Sequence, residues 1–243
     1  MSATRAVRAQ ARVELLLSLR RGESLLVSFL IPVGILVFFT KVDAVNTQLP
    51  DPVDFLVPGV LALAVMSTAM VSLGIATGFE RRYGVLKRLG STPLSRSGLL
   101  AAKTITVIAI EVAQAVVIVA TGVALGWELT WRLVPAIVLL LIGTVAFAGI
   151  GLLMAGTLRA EANLAAANAL FLVLLFLGGM AYPLARLPDA LEVFARALPA
   201  AALSESVRDV LDGASFPTGS TVVLVIWAIA APLCAVRWFR WEE

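Results

Sequence analysis

The sequence has no histidine and one cysteine, Cys234. Without histidine the chain cannot form a Ser-His-Asp triad, an HExxH zinc site or an imidazole proton relay. A lone cysteine excludes a disulfide within the chain, and Cys234 lies inside an apolar run, where a reactive thiol is not expected. We therefore expect no catalytic residue and no metal site in this sequence.

Charged residues are scarce as well. They make up 14% of the 243 residues, whereas hydrophobic residues make up 60%. Soluble domains average about 25% charged and about 45–50% apolar residues. The net charge of +3 comes from residues that flank apolar runs, without a basic stripe or a nucleic-acid motif. The composition predicts an integral membrane protein that binds no nucleic acid and is not a soluble enzyme.

Six apolar runs are candidates for membrane spans. A helix needs about 20 apolar residues to cross a hydrocarbon core of about 30 Å. The runs lack the alternation of a transmembrane barrel, and helices satisfy their own backbone groups in lipid. We predict an all-α fold, a single domain over 1–243, with transmembrane helices at 25–40, 55–78, 104–126, 133–158, 164–182 and 221–236.

The basic residues segregate to one side of this arrangement. With six crossings, fourteen of the nineteen fall on the side of both termini, and five fall on the other side. The positive-inside rule places the richer side in the cytoplasm. The abundance of arginine over lysine is typical of a GC-rich bacterial genome. We predict a multi-pass protein of the bacterial inner (plasma) membrane with both termini in the cytoplasm.

Two segments outside the spans have amphipathic patterns. Segment 4–21 has apolar residues at four-residue spacing opposite arginines, which predicts a helix lying in the membrane interface; the alternative is a simple extension of the first span. Segment 183–220 predicts two short amphipathic helices, external or re-entrant, separated by Pro199 and ending at Gly213; the alternative is a loose external loop.

The cytoplasmic loop 79–103 combines a dense charged block with an apolar stripe formed by Val85, Leu86 and Leu89. Gly90 and Pro93 end a short helix there. A loop that only supplied positive charge on the cytoplasmic side would not need this apolar stripe. We interpret the helix as a surface for a cytoplasmic partner.

Three motifs point to one family. The cytoplasmic loop reads E-R-x-x-G-x-L-x-x-L-x-x-T-P-L-S-R from Glu80 to Arg96, and Phe55-Leu56-Val57-Pro58-Gly59 opens the second span. The external stretch contains Pro183, Leu187-Pro188 and Leu198-Pro199. In these motifs and in its span order, the whole chain resembles the membrane subunits of ABC-2 type exporters. The resemblance is to the drug-resistance branch typified by daunorubicin exporters, although family members often carry acids at the positions of Tyr83 and Lys87.

The resemblance implies that the loop is a coupling helix docked in a groove of a separate ABC ATPase subunit. The coupling residues would be Glu80, Arg81, Arg82, Gly84, Leu86 and Leu89. It also implies a dimer with a second permease chain, identical or related. The pair, embedded in the membrane lipid, would export an amphiphilic drug, antibiotic or lipid-like molecule, as in multidrug resistance. ATP and Mg²⁺ would be bound by the ATPase, with no cofactor in this chain.

The chain itself lacks an ATP-binding motif. A P-loop needs G-x-x-x-x-G-K-[ST], in which glycine amides cradle the phosphates. The nearest match, from Gly98 to Thr104, lacks the second glycine and lies at the start of a predicted span. ATP would therefore be hydrolysed by another polypeptide.

Two polar residues in the third predicted span, Glu111 and Gln114, are candidates for the substrate path. An intramembrane carboxylate costs several kcal/mol unless it is paired, neutral or hydrated. A polar lining for a cationic substrate and a hydrogen bond to Ser67, Ser72 or Asn168 explain Glu111 equally well. Two other functions remain open: an ion-coupled carrier that uses Glu111 as its proton site, and a membrane scaffold that transports nothing.

Overall fold

The computed structural model describes residues 3–20, 22–42, 52–90, 95–180, 183–213 and 216–240. Helices make up 88% of the structure, and these residues contain no strand. The helices are α1 (Ala3–Arg20), α2 (Gly22–Val42), α3 (Pro52–Arg82), α4 (Val85–Gly90), α5 (Arg96–Ala124), α6 (Leu133–Thr157), α7 (Ala160–Leu177), α8 (Asp189–Arg196), α9 (Pro199–Asp212) and α10 (Thr218–Trp238).

Five of these helices, α3, α5, α6, α7 and α10, are long and apolar enough to cross a membrane. The predicted all-helical membrane class is therefore confirmed. The first predicted span corresponds to α2, whose apolar part Leu26–Val42 is shorter than the other five. The sixth crossing stays a prediction.

Two of the observed helices extend beyond the apolar runs at the end of the bundle that is predicted to face the cytoplasm. The third predicted span was placed from residue 104, but α5 begins at Arg96 because the Ser95 side chain accepts a hydrogen bond from the Gly98 amide at 3.1 Å. Helix α3 continues to Arg82. A hydropathy count does not detect polar residues at helix ends.

Parts of four predicted segments, at Arg21, 91–94, 181–182 and 214–215, lie outside the described residues, and so does the Thr92-Pro93-Leu94 part of the loop motif.

Helix α6 is the centre of the bundle and packs against α3, α9 and α10. Small residues permit this packing. A Cβ atom on Gly151 would lie 2.5 Å from the Met70 carbonyl oxygen of α3, and one on Gly149 would lie 2.6 Å from the Pro232 nitrogen of α10. Without a hydrophobic force between helices in lipid, such close backbone approach is what holds them together.

Helix α3 changes its hydrogen-bonding pattern halfway. A π-helical segment runs over Met66–Ser72 between two α-helical parts. Such segments often mark functional positions in helices. Here the segment directs the hydroxyl of Thr68 towards α5, where it meets Gln114.

Helix α9 is buried more deeply than an external amphipathic helix would be. Its predicted apolar face, which includes Leu203 and Val207, is buried, and so are Ala200, Ala201 and Ala202. Leu203 packs on Gly143 of α6. The described part of this segment is helical over Asp189–Arg196 and Pro199–Asp212, and its external or re-entrant position stays a prediction. Alanine and glycine at the contacts let α9 pack into the bundle.

Candidate functional site

Helix α4 follows α3 after a sharp turn at Tyr83 and Gly84. Gly84 has φ +72°, a left-handed conformation that other residues adopt at a cost. Its amide donates to the Arg81 carbonyl at 3.0 Å. The predicted short helix is thus present over Val85–Gly90. Leu86 points inward and is fully buried, so α4 is fixed to the bundle through this side chain.

A buried lysine on α5 connects the end of α3, just before α4, to α1. Lys103 of α5 is 1% exposed, and its Nζ lies 2.6 Å from Oε2 of Glu80 on α3 and 2.9 Å from Oε1 of Glu14 on α1. A charge is buried at tolerable cost only when such partners surround it. Thr106 adds a hydrogen bond to the Ala11 carbonyl at 3.2 Å. We call Glu14, Lys103 and Glu80 the cytoplasmic triad, after the side of the membrane that the sequence predicts for them.

The next two residues of α3 bind the connection between α6 and α7. Arg81 is buried and donates a hydrogen bond to the Leu158 carbonyl. Arg82, which is half exposed, forms an ion pair with Glu161 in the first turn of α7. Three consecutive side chains therefore connect the C-terminal end of α3 to α1, α5, α6 and α7.

This geometry divides the six predicted coupling residues. Glu80, Arg81 and Leu86 are engaged with other helices of the same chain, Leu89 is partly buried, and Arg82 is paired at the surface. Gly84 shapes the turn. The surface that the segment presents outward is formed by other residues, Tyr83 (71% exposed), Val85 (43% exposed), Lys87 and Arg88, which we call the α4 face.

The sequence did not reveal Lys103 as the partner of Glu80, nor Glu14 as the second carboxylate bound to that lysine. Residues 14, 80 and 103 are far apart in the chain, and nothing in their spacing connects them. One signal was available. Glu14 is the single acid in the basic helix α1. An isolated acid on a basic amphipathic helix indicates a specific cationic partner, because membrane-surface helices otherwise favour lysine and arginine.

The two predicted path residues are both buried but face different neighbours. Oε2 of Glu111 accepts a hydrogen bond from Thr144 of α6, which was not among the predicted partners. Gln114 accepts from Thr68 of α3 at 3.0 Å and donates to the Ser28 carbonyl of α2 at 2.9 Å. Residues three apart on a helix differ by about 60° in direction, so the two side chains reach different helices.

Two cavities lie in this part of the bundle. One, of about 590 Å³, lies between α3, α5 and α6 and has Glu111 in its wall. The other, of about 540 Å³, lies between α1, α2, α3 and α5 and is lined by the cytoplasmic triad, Thr68 and Tyr83 among others. Among the described residues, no three histidine, cysteine or carboxylate side chains come close enough to hold a metal ion.

The opposite end of the bundle explains the motif that opens α3. A Cβ on Gly59 would lie 2.1 Å from the Met180 carbonyl oxygen, so only glycine fits there. The Arg208 guanidinium of α9 lies 3.9 Å from the centre of the Phe55 ring and donates to the Gly179 carbonyl at 2.9 Å. Burial lowers the pKa of Arg208 to about 10, an effect that the carboxylate of Asp212 and its neighbours oppose.

Comparison with known proteins identifies the family of the chain. A family model described as "ABC-2 type transporter" matches residues 5–211. The chain is also similar to a Bacillus subtilis (strain 168) protein described as "Putative transport permease YvfS", with 27% identity over 230 residues that cover 89% of each chain. The match includes α1, the α4 segment and α9.

Proposed function

Because the chain belongs to the ABC-2 type transporter family, we propose that it is the permease subunit of an ATP-driven exporter, partnered by an ABC ATPase subunit. Two such chains, identical or related, enclose the path of an amphiphilic substrate such as a drug, an antibiotic or a lipid-like molecule. ATP with Mg²⁺ is hydrolysed by the ATPase subunit. The similarity to a described transport permease supports the transport role.

The proposed topology has six crossings in the inner membrane of a bacterium, with both termini in the cytoplasm. It counts α2 as the first crossing, because Gly22–Val42 is a continuous helix of 21 residues. A helix of this length spans about 31 Å, close to the thickness of the hydrocarbon core. Helix α1 lies along the cytoplasmic surface with Arg5, Arg8 and Arg12 exposed.

The observation that carries the proposal is the way in which the α4 segment is fastened to the bundle. The cytoplasmic triad connects the end of α3 to α1 and α5, and the next two arginines connect it to α6 and α7. A force applied to α4 therefore reaches five helices through short contacts, which are largely buried except for the exposed pair of Arg82 with Glu161. Packed side chains and ion pairs of this kind are physical carriers of coupling between sites.

The α4 face supplies the contact with the ATPase in this proposal. The exposed side chains of this face are an aromatic ring, an aliphatic side chain and two cations, at Tyr83, Val85, Lys87 and Arg88. Exposed aromatic and arginine side chains are enriched where proteins bind one another. The cations favour an ATPase groove that carries acidic residues.

The test is ATP hydrolysis by the assembled complex. The full chain is purified with the ATPase that co-purifies with it, reconstituted in lipid, and compared with a Lys87→Glu/Arg88→Glu variant. Arg237→Glu, at the exposed end of α10, is the matched control on the same side of the membrane. We expect the double variant to lose most ATPase association and stimulation, because two attractive contacts become repulsive, while the control retains both.

Three results would refute the proposal. Normal association and stimulation in the double variant would remove the α4 face from the interface. Transport that continues without ATP and collapses with the proton gradient would identify an ion-coupled carrier instead. The absence of any ATPase from the purified complex, together with absent transport, would favour a membrane scaffold.

A further inference from the structure

A groove on the side of the bundle has the composition of a binding site for an apolar chain. It lies between α3, α5 and α6 and has a volume of about 590 Å³. Its walls are aliphatic, with Val65, Val116 and Ile137 among them, and its polar side chains are Glu111 and Thr144. Val116 is 64% exposed, so the groove opens to the outside of the bundle.

The carboxylate in this wall is incompletely satisfied. Glu111 is 7% exposed, and Thr144 donates to its Oε2. Its Oε1 is buried and accepts no hydrogen bond from the described residues. No lining residue is basic. A buried acceptor without a donor is costly, and an intramembrane acid usually marks a ligand or ion site.

Gln114 does not take part in this groove. Its amide is bound on both sides, to Thr68 and to the Ser28 carbonyl, and it does not line the cavity. Of the two path residues expected from the sequence, only Glu111 is therefore available to a ligand here.

We propose that this groove binds an amphiphile with a primary ammonium head, whose N–H donates to Oε1 of Glu111. The groove runs along α5 from Ile108 to Val123, about 22 Å at the helical rise per residue. Glu111 lies near the Ile108 end, so the ammonium occupies that end and the hydrocarbon chain extends along the aliphatic walls towards Val123. A primary ammonium supplies both the missing donor and the charge opposite to the carboxylate.

The proposal rests on the proposed function, because it names the substrate class of the exporter. Two sources could supply the same head group, a free alkylamine and an aminophospholipid of the surrounding bilayer. Binding to the purified chain requires no ATPase. Failure of the ammonium site and failure of the coupling mechanism are therefore measured separately.

The experiment uses the full chain in nanodiscs of phosphatidylcholine and phosphatidylglycerol. The ligand is a dodecyl chain that carries a dansyl group at one end and an ammonium at the other, with the corresponding alcohol and carboxylate as comparison ligands. We expect the ammonium ligand to bind at least about tenfold more tightly than the alcohol, since hydrogen bonds to charged groups have this strength. Protein-free nanodiscs give the background of each ligand.

Three variants make the result specific. Glu111→Gln should abolish the preference for ammonium and leave the affinity for the alcohol within about twofold, because the amide keeps the shape and loses the charge. Glu128→Gln, an exposed carboxylate beyond the end of α5, is the matched control and should behave as the wild type. Ala115→Phe, which fills the groove, should weaken binding of all three ligands.

The variants and the added lipid give distinguishable results. If Glu111→Gln still prefers ammonium, or if Ala115→Phe binds all ligands normally, the site is not in this groove and the proposal fails. Addition of phosphatidylethanolamine to the nanodiscs identifies the source: competition with the ammonium ligand assigns the site to the lipid head group, and absence of competition assigns it to a free amphiphile. Both of these results support the ammonium site.

Discussion

Replacement of Lys103 by methionine tests the cytoplasmic triad. Methionine has a similar length and no charge, so the variant leaves Glu14 and Glu80 facing one another across a site from which water is largely excluded; their side chains are 13% and 18% exposed. Removal of one partner from a buried ion pair costs about 3–5 kcal/mol, because the remaining charge is uncompensated.

For a chain of this size, about 3 kcal/mol corresponds to a decrease of about 6–12 °C in the midpoint of thermal unfolding. The measurement is intrinsic fluorescence of the purified protein in detergent as temperature rises. Lys41→Met, at the exposed end of α2, is the matched control and should change the midpoint by less than about 2 °C.

A triple variant distinguishes electrostatics from packing. Glu14→Gln/Lys103→Met/Glu80→Gln removes all three charges and keeps the side-chain volumes. Replacement of a buried charged cluster by neutral residues is often neutral in stability. We expect the triple variant to recover most of the loss. The reasoning is refuted if Lys103→Met unfolds within about 2 °C of the wild type, or if the triple variant is no more stable than the single one.

Three further substitutions have defined outcomes. Gly59→Ala places a methyl group against the Met180 carbonyl and should lower the unfolding midpoint by about 2–12 °C, since overpacking costs about 1–3 kcal/mol. An unchanged midpoint would refute the close approach. Gln114→Leu removes its two interhelical hydrogen bonds and should lower the midpoint by about 2–6 °C without changing binding in the groove. Arg82→Glu should shift the midpoint by less than about 3 °C, since its pair with Glu161 is exposed and exposed pairs contribute at most about 1 kcal/mol. A larger loss that Glu161→Arg restores would contradict this and would show a stronger ion pair.

The membrane class of the fold follows from the sequence because hydropathy determines which helices can lie in lipid. Helix ends are less predictable. Helix α5 starts at the Ser95 cap, and α3 continues through charged residues to Arg82. These ends contain two residues of the cytoplasmic triad, Glu80 and Lys103, and a count of apolar residues does not detect them.

The site was predictable only in outline. The motif identified the segment that contains Glu80 and α4, but Glu14 and Lys103 meet Glu80 through tertiary packing. The same holds for Glu111. The sequence indicates a buried acid on α5, whereas its partner Thr144 depends on the rotation of α5 against α6, which spacing within one helix does not determine. Helix α9 shows a further effect, because its alanines suit a buried helix as well as a surface one.

The most direct test of the central claim is the side of the membrane on which the α4 face lies. A Tyr83→Cys substitution is introduced together with Cys234→Ser, so that position 83 carries the chain's one thiol. A membrane-impermeant maleimide is then applied to intact cells and to permeabilised cells. We predict labelling only after permeabilisation. Full labelling of intact cells would place the α4 face outside, where no ATP-hydrolysing subunit could drive it.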